Sequence, residues 1–218
     1  MKRIVQDTAD GSPTIAIPDM QVTYHSRHGA VQESRHVFIQ AGLQPLLKQY
    51  DILRVFEMGL GTGLNALLTL EQAIIGEQAV CYQAVEKYPL NGDEIKELEY
   101  KQILRPAYFM ALHQCNWNEP IAIHSLFTLY KSHTSLQEFK ANTPFHLIYY
   151  DAFAPAAQPE LWTQQIFEQL YAMLANGGIL VTYCSKGEVR RNMLAAGFEV
   201  EKLAGPPGKR EMLRATKH

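Results

Sequence analysis

Cysteine is scarce in this chain. Cys81, Cys115 and Cys184 are the three in 218 residues, widely separated and without a CxxC pair. This argues against a disulfide framework and for reduced thiols in a cytoplasmic protein. Long apolar runs are missing as well. None reaches the roughly 20 residues that a membrane span needs, and Met1–Pro18 has no signal-peptide core, so no membrane partner is expected. The eight histidines show neither HExxH nor any paired-ligand spacing, which leaves a metal site without support. No GxSxG marks a serine nucleophile. The formal net charge is only -2, so no global basic field announces a nucleic-acid partner.

What the chain does have is an ordinary globular composition, 47% hydrophobic and 19% charged, at a length suited to one domain. Its charge is uneven. Lys186 to His218 carries eight Lys or Arg against four Glu, a local balance of +4 against -6 for the rest. Such a tail is either a solvated surface or an edge that faces phosphates.

The pattern begins with a hairpin over Arg3–Pro18, turning at Asp10-Gly11-Ser12-Pro13, and with helical pieces in Gly29–Gln40 and Leu43–Tyr50. Strands and helices then alternate. Strands are expected at Arg54–Met58, Val80–Glu86, Ile121–Leu129, Phe145–Tyr150 and Gly178–Cys184, with two more in Phe198–Thr216. Helices are expected at Leu64–Ile75, Asn91–Leu104, Pro159–Leu174 (stopped by Asn176-Gly177) and Glu188–Ala196, and Pro106–Trp117 is an insertion. This order predicts a doubly wound α/β domain: a mostly parallel, seven-stranded Rossmann-like sheet over residues 51–218. Residues 1–50 form a hairpin and helical extension packed on it. Ligands of such sheets sit at the carboxyl ends of the central strands.

One segment points to a ligand. In Glu57-Met58-Gly59-Leu60-Gly61-Thr62-Gly63-Leu64-Asn65 a buried strand runs into three alternate glycines and then a helix. Glycine permits the tight turn and a close backbone approach. The spacing is GxGxG; a dinucleotide fingerprint would need glycine at 64, and the lysine of a P-loop is absent. Glu86 closes the next strand, 23 residues beyond Gly63, where a carboxylate can accept both ribose hydroxyls of an adenosine. Glu86 alone suits NAD or S-adenosylmethionine (SAM); the glycine spacing and Glu57 favour SAM. Asp151 ends the apolar run Phe145–Tyr150, beside the expected position of the glycine loop.

On these residues the chain resembles the methyltransferase domain of the bacterial tRNA-modifying MnmC family and its stand-alone relatives. The likeness runs through Tyr24-His25-Ser26 with Gly29 and Glu33–Phe38; Glu57–Asn65; Val85-Glu86-Lys87-Tyr88-Pro89-Leu90; Asp151-Ala152-Phe153-Ala154-Pro155 with Pro159 and Leu161-Trp162; Ser185 with Val189-Arg190-Arg191 and Ala196-Gly197-Phe198; and Gly208-Lys209-Arg210-Glu211-Met212-Leu213. It implies a class I SAM-dependent enzyme that methylates the 5-aminomethyl group of the wobble uridine in tRNA, giving 5-methylaminomethyl-(2-thio)uridine. In MnmC a second, FAD-dependent domain makes the amine. At 218 residues that domain has no room, so a separate enzyme is expected to supply it.

The resemblance and the local chemistry together assign roles. Asp151 is the expected catalytic group, either as a base that accepts the proton of the amine or as a carboxylate that orients its lone pair. Glu57, Gly59, Gly61, Gly63, Leu64, Asn65, Glu86 and Lys87 are expected to bind SAM, and the resemblance implies that Glu33 and the Tyr24–Phe38 segment fold over the pocket. Phe153 is expected to stack on the target base, and Lys209, Arg210, Arg190 and Arg191 to meet anticodon-loop phosphates. The stretch after the third core strand, Tyr130-Lys131-Ser132-His133-Thr134, lacks the carboxylate many class I enzymes use for adenine. Two other readings stay open: a SAM-dependent enzyme acting on a small amine or metabolite, and a non-catalytic adenosine- or RNA-binding module.

Overall fold

The computed structural model describes residues 2–98, 100 and 106–218. Its centre is an eight-stranded sheet built from β4 (Ile52–Met58), β5 (Ala79–Val85), β6 (Pro120–His124), β7 (Phe127–Ser132), β8 (Phe145–Tyr150), β9 (Leu174–Thr182), β10 (Glu199–Ala204) and β11 (Glu211–Thr216). The spatial order is β10-β11-β9-β8-β4-β5-β7-β6. Strands β9, β8, β4, β5 and β7 pair in parallel, while β11 and β6 run against their neighbours. From β4 the chain moves outward to β5, then returns to the other side of β4 as β8. That reversal opens a crevice at the carboxyl ends of β4, β5 and β8.

Both faces are covered, which is why β8 is buried at all six positions. On one face α2 (Leu64–Ile75) packs Leu64, Leu67 and Leu68 with Val55, Tyr82 and Tyr149. On the other, α5 (Gln164–Met173) and α6 (Gly187–Ala195) bury Phe167, Leu170, Val189 and Met193 against Phe56, Ile148 and Tyr150. Two shorter helices, α3 (Gly92–Glu97) and α4 (Pro106–Gln114), follow β5; α3 starts with a capping box in which Asn91 and Glu94 exchange hydrogen bonds.

The N-terminal hairpin is the first part of a three-stranded antiparallel sheet, β1 (Ile4–Asp7), β2 (Pro13–Ile17) and β3 (Val22–Thr23). Helix α1 (Ala30–Ser34) then runs directly into a π-helical stretch, Arg35–Leu43, and a 3-10 turn, Gln44–Leu46. This helical segment lies on the sheet. Its Phe38 ring meets Tyr149 at 5.2 Å, and a Cβ on Gly42 would come within 2.9 Å of Val181 Cγ2.

Three expectations need correction. The sheet has eight strands because Ile121–Leu129 is not one strand: the chain reverses at Ser125-Leu126 to make β6 and β7. No Gly or Pro marks this turn. A side chain makes it, with His124 Nδ1 accepting from Leu126 N at 3.2 Å. Asn176-Gly177 does not stop a helix either. The α-helix begins only at Gln164, after a 3-10 turn at Pro159–Leu161, and ends at Met173. Leu174 already pairs with Phe145, and Gly177 N donates to Lys217 O at 2.7 Å, so the dipeptide is an irregularity inside β9. Leu47–Tyr50 is turn rather than helix. For the predicted helix Asn91–Leu104, residues 99 and 101–104 lie outside the described residues.

Phe56 is fully buried on β4, with Phe139 and Phe145 at 5.0 and 5.2 Å. Phe56→Ala is therefore expected to cost about 3–5 kcal/mol, measured as a lowered urea midpoint with an unchanged slope.

Candidate active site

The chain leaves β4 through Gly59, Gly61 and Gly63, with φ of +86°, +53° and +72°. All three lie in the left-handed region that side chains disfavour, so the turn needs glycine. The loop is sewn to the end of β5: Gly59 N donates to Val85 O at 3.0 Å, and Gly61 N to Glu86 Oε2 at 3.0 Å. The other Glu86 oxygen accepts from Tyr88 N at 2.8 Å. Each oxygen keeps a lone pair for a further donor. From behind, His113 of α4 donates through Nε2 to Thr62 O at 3.0 Å.

The first turn of α2 places Asn65 between two strand ends. Its Nδ2 donates to Glu57 Oε1 at 2.9 Å and to Asp151 Oδ2 at 3.0 Å. Among the described residues, the buried Asn65 Oδ1 has no hydrogen-bond partner. Burial raises the Glu57 carboxyl far above the usual range, partly offset by Asn65 and Tyr82, with Asp151 and Glu86 adding further upward pressure. Asp151 is pushed up to about 7, first by burial and then by Glu33, against the opposing pull of Asn65 and Lys209.

These groups border a cleft lined by Tyr24, Gly61, Asn65, Glu86, Asp151 and Phe153, among others. An adjoining hollow shares Met58, Gly59, Glu86 and Gln158 with it and extends to Lys87, Thr134 and Ser135. The bare glycine turn, the free lone pairs on Glu86 and the orphaned Asn65 oxygen fit an adenosyl amino-acid ligand.

Of the sequence-predicted site residues, Gly59, Gly61, Leu64, Asn65, Glu86, Asp151 and Phe153 line this cleft, and Glu57 lies directly behind Asn65. Gly63 turns the chain into α2, and Lys87 is exposed at the adjoining hollow. Glu33 and Lys209 meet each other, 2.6 Å apart. Arg190 on α6 is half-buried, whereas Arg191 and Arg210 are exposed; none of the three lines the cleft. Other basic residues of the tail are engaged internally: Lys202 with Glu211, Arg214 with Glu201, and Lys217 with the carbonyls of Tyr171 and Leu174.

Sequence reasoning placed the Tyr24–Phe38 segment over the pocket without giving Tyr24 or His25 an individual role, and gave Gln158 none. Tyr24 covers Gly61, its ring 3.7 Å from where a Cβ would stand, and meets Phe153 at 5.3 Å. His25 is buried between the Thr14 and Thr62 hydroxyls, and burial lowers its pKa to about 4. Gln158 Oε1 accepts from Phe153 N at 3.0 Å. Tyr24-His25 carried a signal as part of a shared motif; Gln158 carried none.

A family model for S-adenosyl-L-methionine-dependent methyltransferases matches residues 96–218. The chain belongs to this family. S-adenosyl-L-methionine is thus its cofactor, and the glycine turn and Glu86 precede the matched stretch. The methyltransferase is 32% identical to the tRNA 5-methylaminomethyl-2-thiouridine biosynthesis bifunctional protein MnmC of Pseudoalteromonas atlantica, over 96% of this chain and 32% of that one. It is 30% identical to the protein of the same name from Aromatoleum aromaticum, over 95% of this chain and 34% of that one. It therefore spans about a third of the length of these curated relatives. Among solved structures, MNMC2 from Aquifex aeolicus superposes with a TM-score of 0.81 at 24% identity, covering all of this chain and 70% of that one. Spermidine synthase from Thermotoga maritima shares the fold more distantly, with a TM-score of 0.56 at 12% identity, over 98% of this chain and 68% of that one. Among the described residues no helix is long and apolar enough to cross a membrane, and no cluster of His, Cys, Asp or Glu could hold a metal ion.

The raised Asp151 carboxyl has a consequence for the stability of the methyltransferase. Its pKa is about 7 when folded against 3.8 for a free aspartate, so the folded state favours the neutral form. The associated stability is fully present below the free value and is lost as pH climbs through 7. Asp151→Asn stays neutral throughout. Thermal melts from about pH 4 to about pH 8 should show the wild type losing up to about 4 kcal/mol relative to this variant. Parallel melting curves across that range would contradict the assigned ionisation.

Proposed function

We propose that this methyltransferase acts on tRNA, methylating the 5-aminomethyl group of the wobble uridine to give 5-methylaminomethyl-(2-thio)uridine. The observation that carries the reading is the Asp151 carboxylate at the cleft, oriented by Asn65 and flanked by the aromatic rings of Phe153 and Tyr24. The printed names of the MnmC relatives supply the substrate class.

Bound SAM supplies an electrophilic methyl group on its sulfonium. Glu86 has the acceptors that ribose hydroxyls require, and Asn65 Oδ1 and Glu57 have those that suit an ammonium group. The acceptor amine attacks only when neutral, and near pH 7 most such amines carry a proton. Asp151, ionising near neutrality, is matched to accept that proton and to direct the nitrogen lone pair. As the N–C bond forms, the S–C bond breaks. Asp151 can hold only one proton, so the second one, left on the nitrogen after methylation, goes to solvent. Phe153 presents a ring on which an unpaired base can stack. Arg190, Arg191 and Arg210 remain for anticodon-loop phosphates, giving salt-dependent affinity without base selectivity. Methyl transfer cannot create the amine, so a different activity must supply it, and a tRNA substrate puts the reaction in the cytoplasm.

Incubation with radiolabelled SAM and tRNA bearing aminomethyl-uridine is expected to place label in the wobble nucleoside. Label confined to small amines from a metabolite pool would refute the tRNA reading. Asp151→Ala is expected to bind SAM nearly as the wild type does in calorimetry, while methylation falls about 10²–10⁴-fold. Loss of SAM binding in that variant would remove Asp151 from the role given to it.

A further inference from the structure

Lys209 does not project from the basic tail as a residue seeking phosphate would. It comes from the loop between β10 and β11, yet its ammonium is 2.6 Å from Glu33 Oε1 on α1 and 4.0 Å from the centroid of the Tyr183 ring. Glu33 is only 7% exposed, and its second oxygen accepts from Ser26 N at 2.7 Å. Tyr183 in turn donates its hydroxyl to Ala152 O, 2.9 Å away and one residue after Asp151. The loop that carries Lys209 is held against the N-terminal segment: Gly208 has φ +84°, and a Cβ there would collide with the His28 ring. Both charges of the pair act on Asp151, Glu33 and Lys209 in opposite senses.

We propose that the Lys209–Glu33 ion pair is a positioning element of the methyl-transfer pocket, joining the C-terminal hairpin to the N-terminal extension and presenting one charge of each sign to Asp151, and that Lys209 is not part of an RNA-binding surface. The proposal rests on the reading of Asp151 as the group that handles the acceptor amine. Its physical content is a balance. Glu33 disfavours a second anion at Asp151, and Lys209 favours it. Lys209 also disfavours the protonated form of an incoming amine, as a cation beside a nucleophilic amine does. The other groups that interact with Asp151 are Asn65 from α2, Glu57 on β4, Tyr82 on β5 and Tyr183 just after β9. With the ion pair intact the upward push of Glu33 exceeds the downward pull of Lys209, which offsets only part of it. Removal of either member leaves the other unopposed.

The test compares wild type with Glu33→Gln, Lys209→Met and Lys209→Arg. Carbon NMR titration of labelled aspartate side chains reads the Asp151 midpoint directly and needs no methyl acceptor; the signal is assigned by its loss in Asp151→Asn. The midpoint is expected to fall in Glu33→Gln and to rise in Lys209→Met, each by about half a pH unit or more. Lys209→Arg, which keeps the charge, is expected to keep the wild-type midpoint. The acidic limb of the methylation rate should move in the same order. Shifts in the same direction, or no shift in variants that retain the wild-type circular dichroism, would overturn the proposal. So would a Lys209→Met variant that loses tRNA affinity with its midpoint unmoved, since the lysine would then belong to RNA. If Glu33→Gln does not fold, the Lys209→Met and Lys209→Arg pair still decides. Mirrored midpoints in a wild type that labels no tRNA would support this inference and sink the substrate reading; wobble methylation with unmoved midpoints would do the reverse.

Discussion

The Asn65 amide nitrogen gives one hydrogen to Glu57 and the other to Asp151, and so links β4, α2 and β8 at the point where the sheet order reverses. Two acidic side chains at neighbouring strand ends would otherwise repel each other across a poorly hydrated crevice. A shared donor lets both stay, at the expense of carboxyl groups that are reluctant to ionise. The same contact fixes the first turn of α2, and with it the glycine turn that feeds the helix. Cofactor loop and reactive carboxyl are thereby parts of one hydrogen-bonded unit.

Around that unit the molecule is closed from three directions. Glu86, the residue just after β5, holds the glycine turn by its backbone. The N-terminal sheet and the residues after it bring Tyr24 over Gly61 and His25 against Thr62. The hairpin of β10 and β11 brings Lys209 to Glu33. The N-terminal extension therefore contributes walls to the cleft as well as apolar packing, through Phe38 and Leu43, to the sheet below it.

The basic tail shows how much a charge count depends on partners. Its excess suggests a single phosphate-facing edge, but Lys202 and Arg214 are spent on cross-strand pairs, Lys217 caps carbonyls, and Lys209 faces inward. Arg191 and Arg210 stay exposed. Cross-strand pairs of this kind align a hairpin and contribute little stability each when solvated.

Several features could be read from the chain alone because they arise between residues close in sequence. Alternating apolar runs and helical periodicity state a parallel α/β sheet. Glycines at 59, 61 and 63 state a left-handed turn between strand and helix. Acidic residues at the ends of apolar runs put Glu86 and Asp151 at the carboxyl edge of the sheet. The reversal at Ser125-Leu126 was invisible because a histidine side chain, not a turn residue, stabilises it. The irregularity at Asn176-Gly177 was misread because local turn chemistry there yields to pairing with β8 and Lys217. Tertiary structure alone decided that Tyr24 covers the glycine turn and that Lys209 finds Glu33, 176 residues away. Periodicity records which way a side chain faces, but the partner it meets is set by distances that only the folded chain defines.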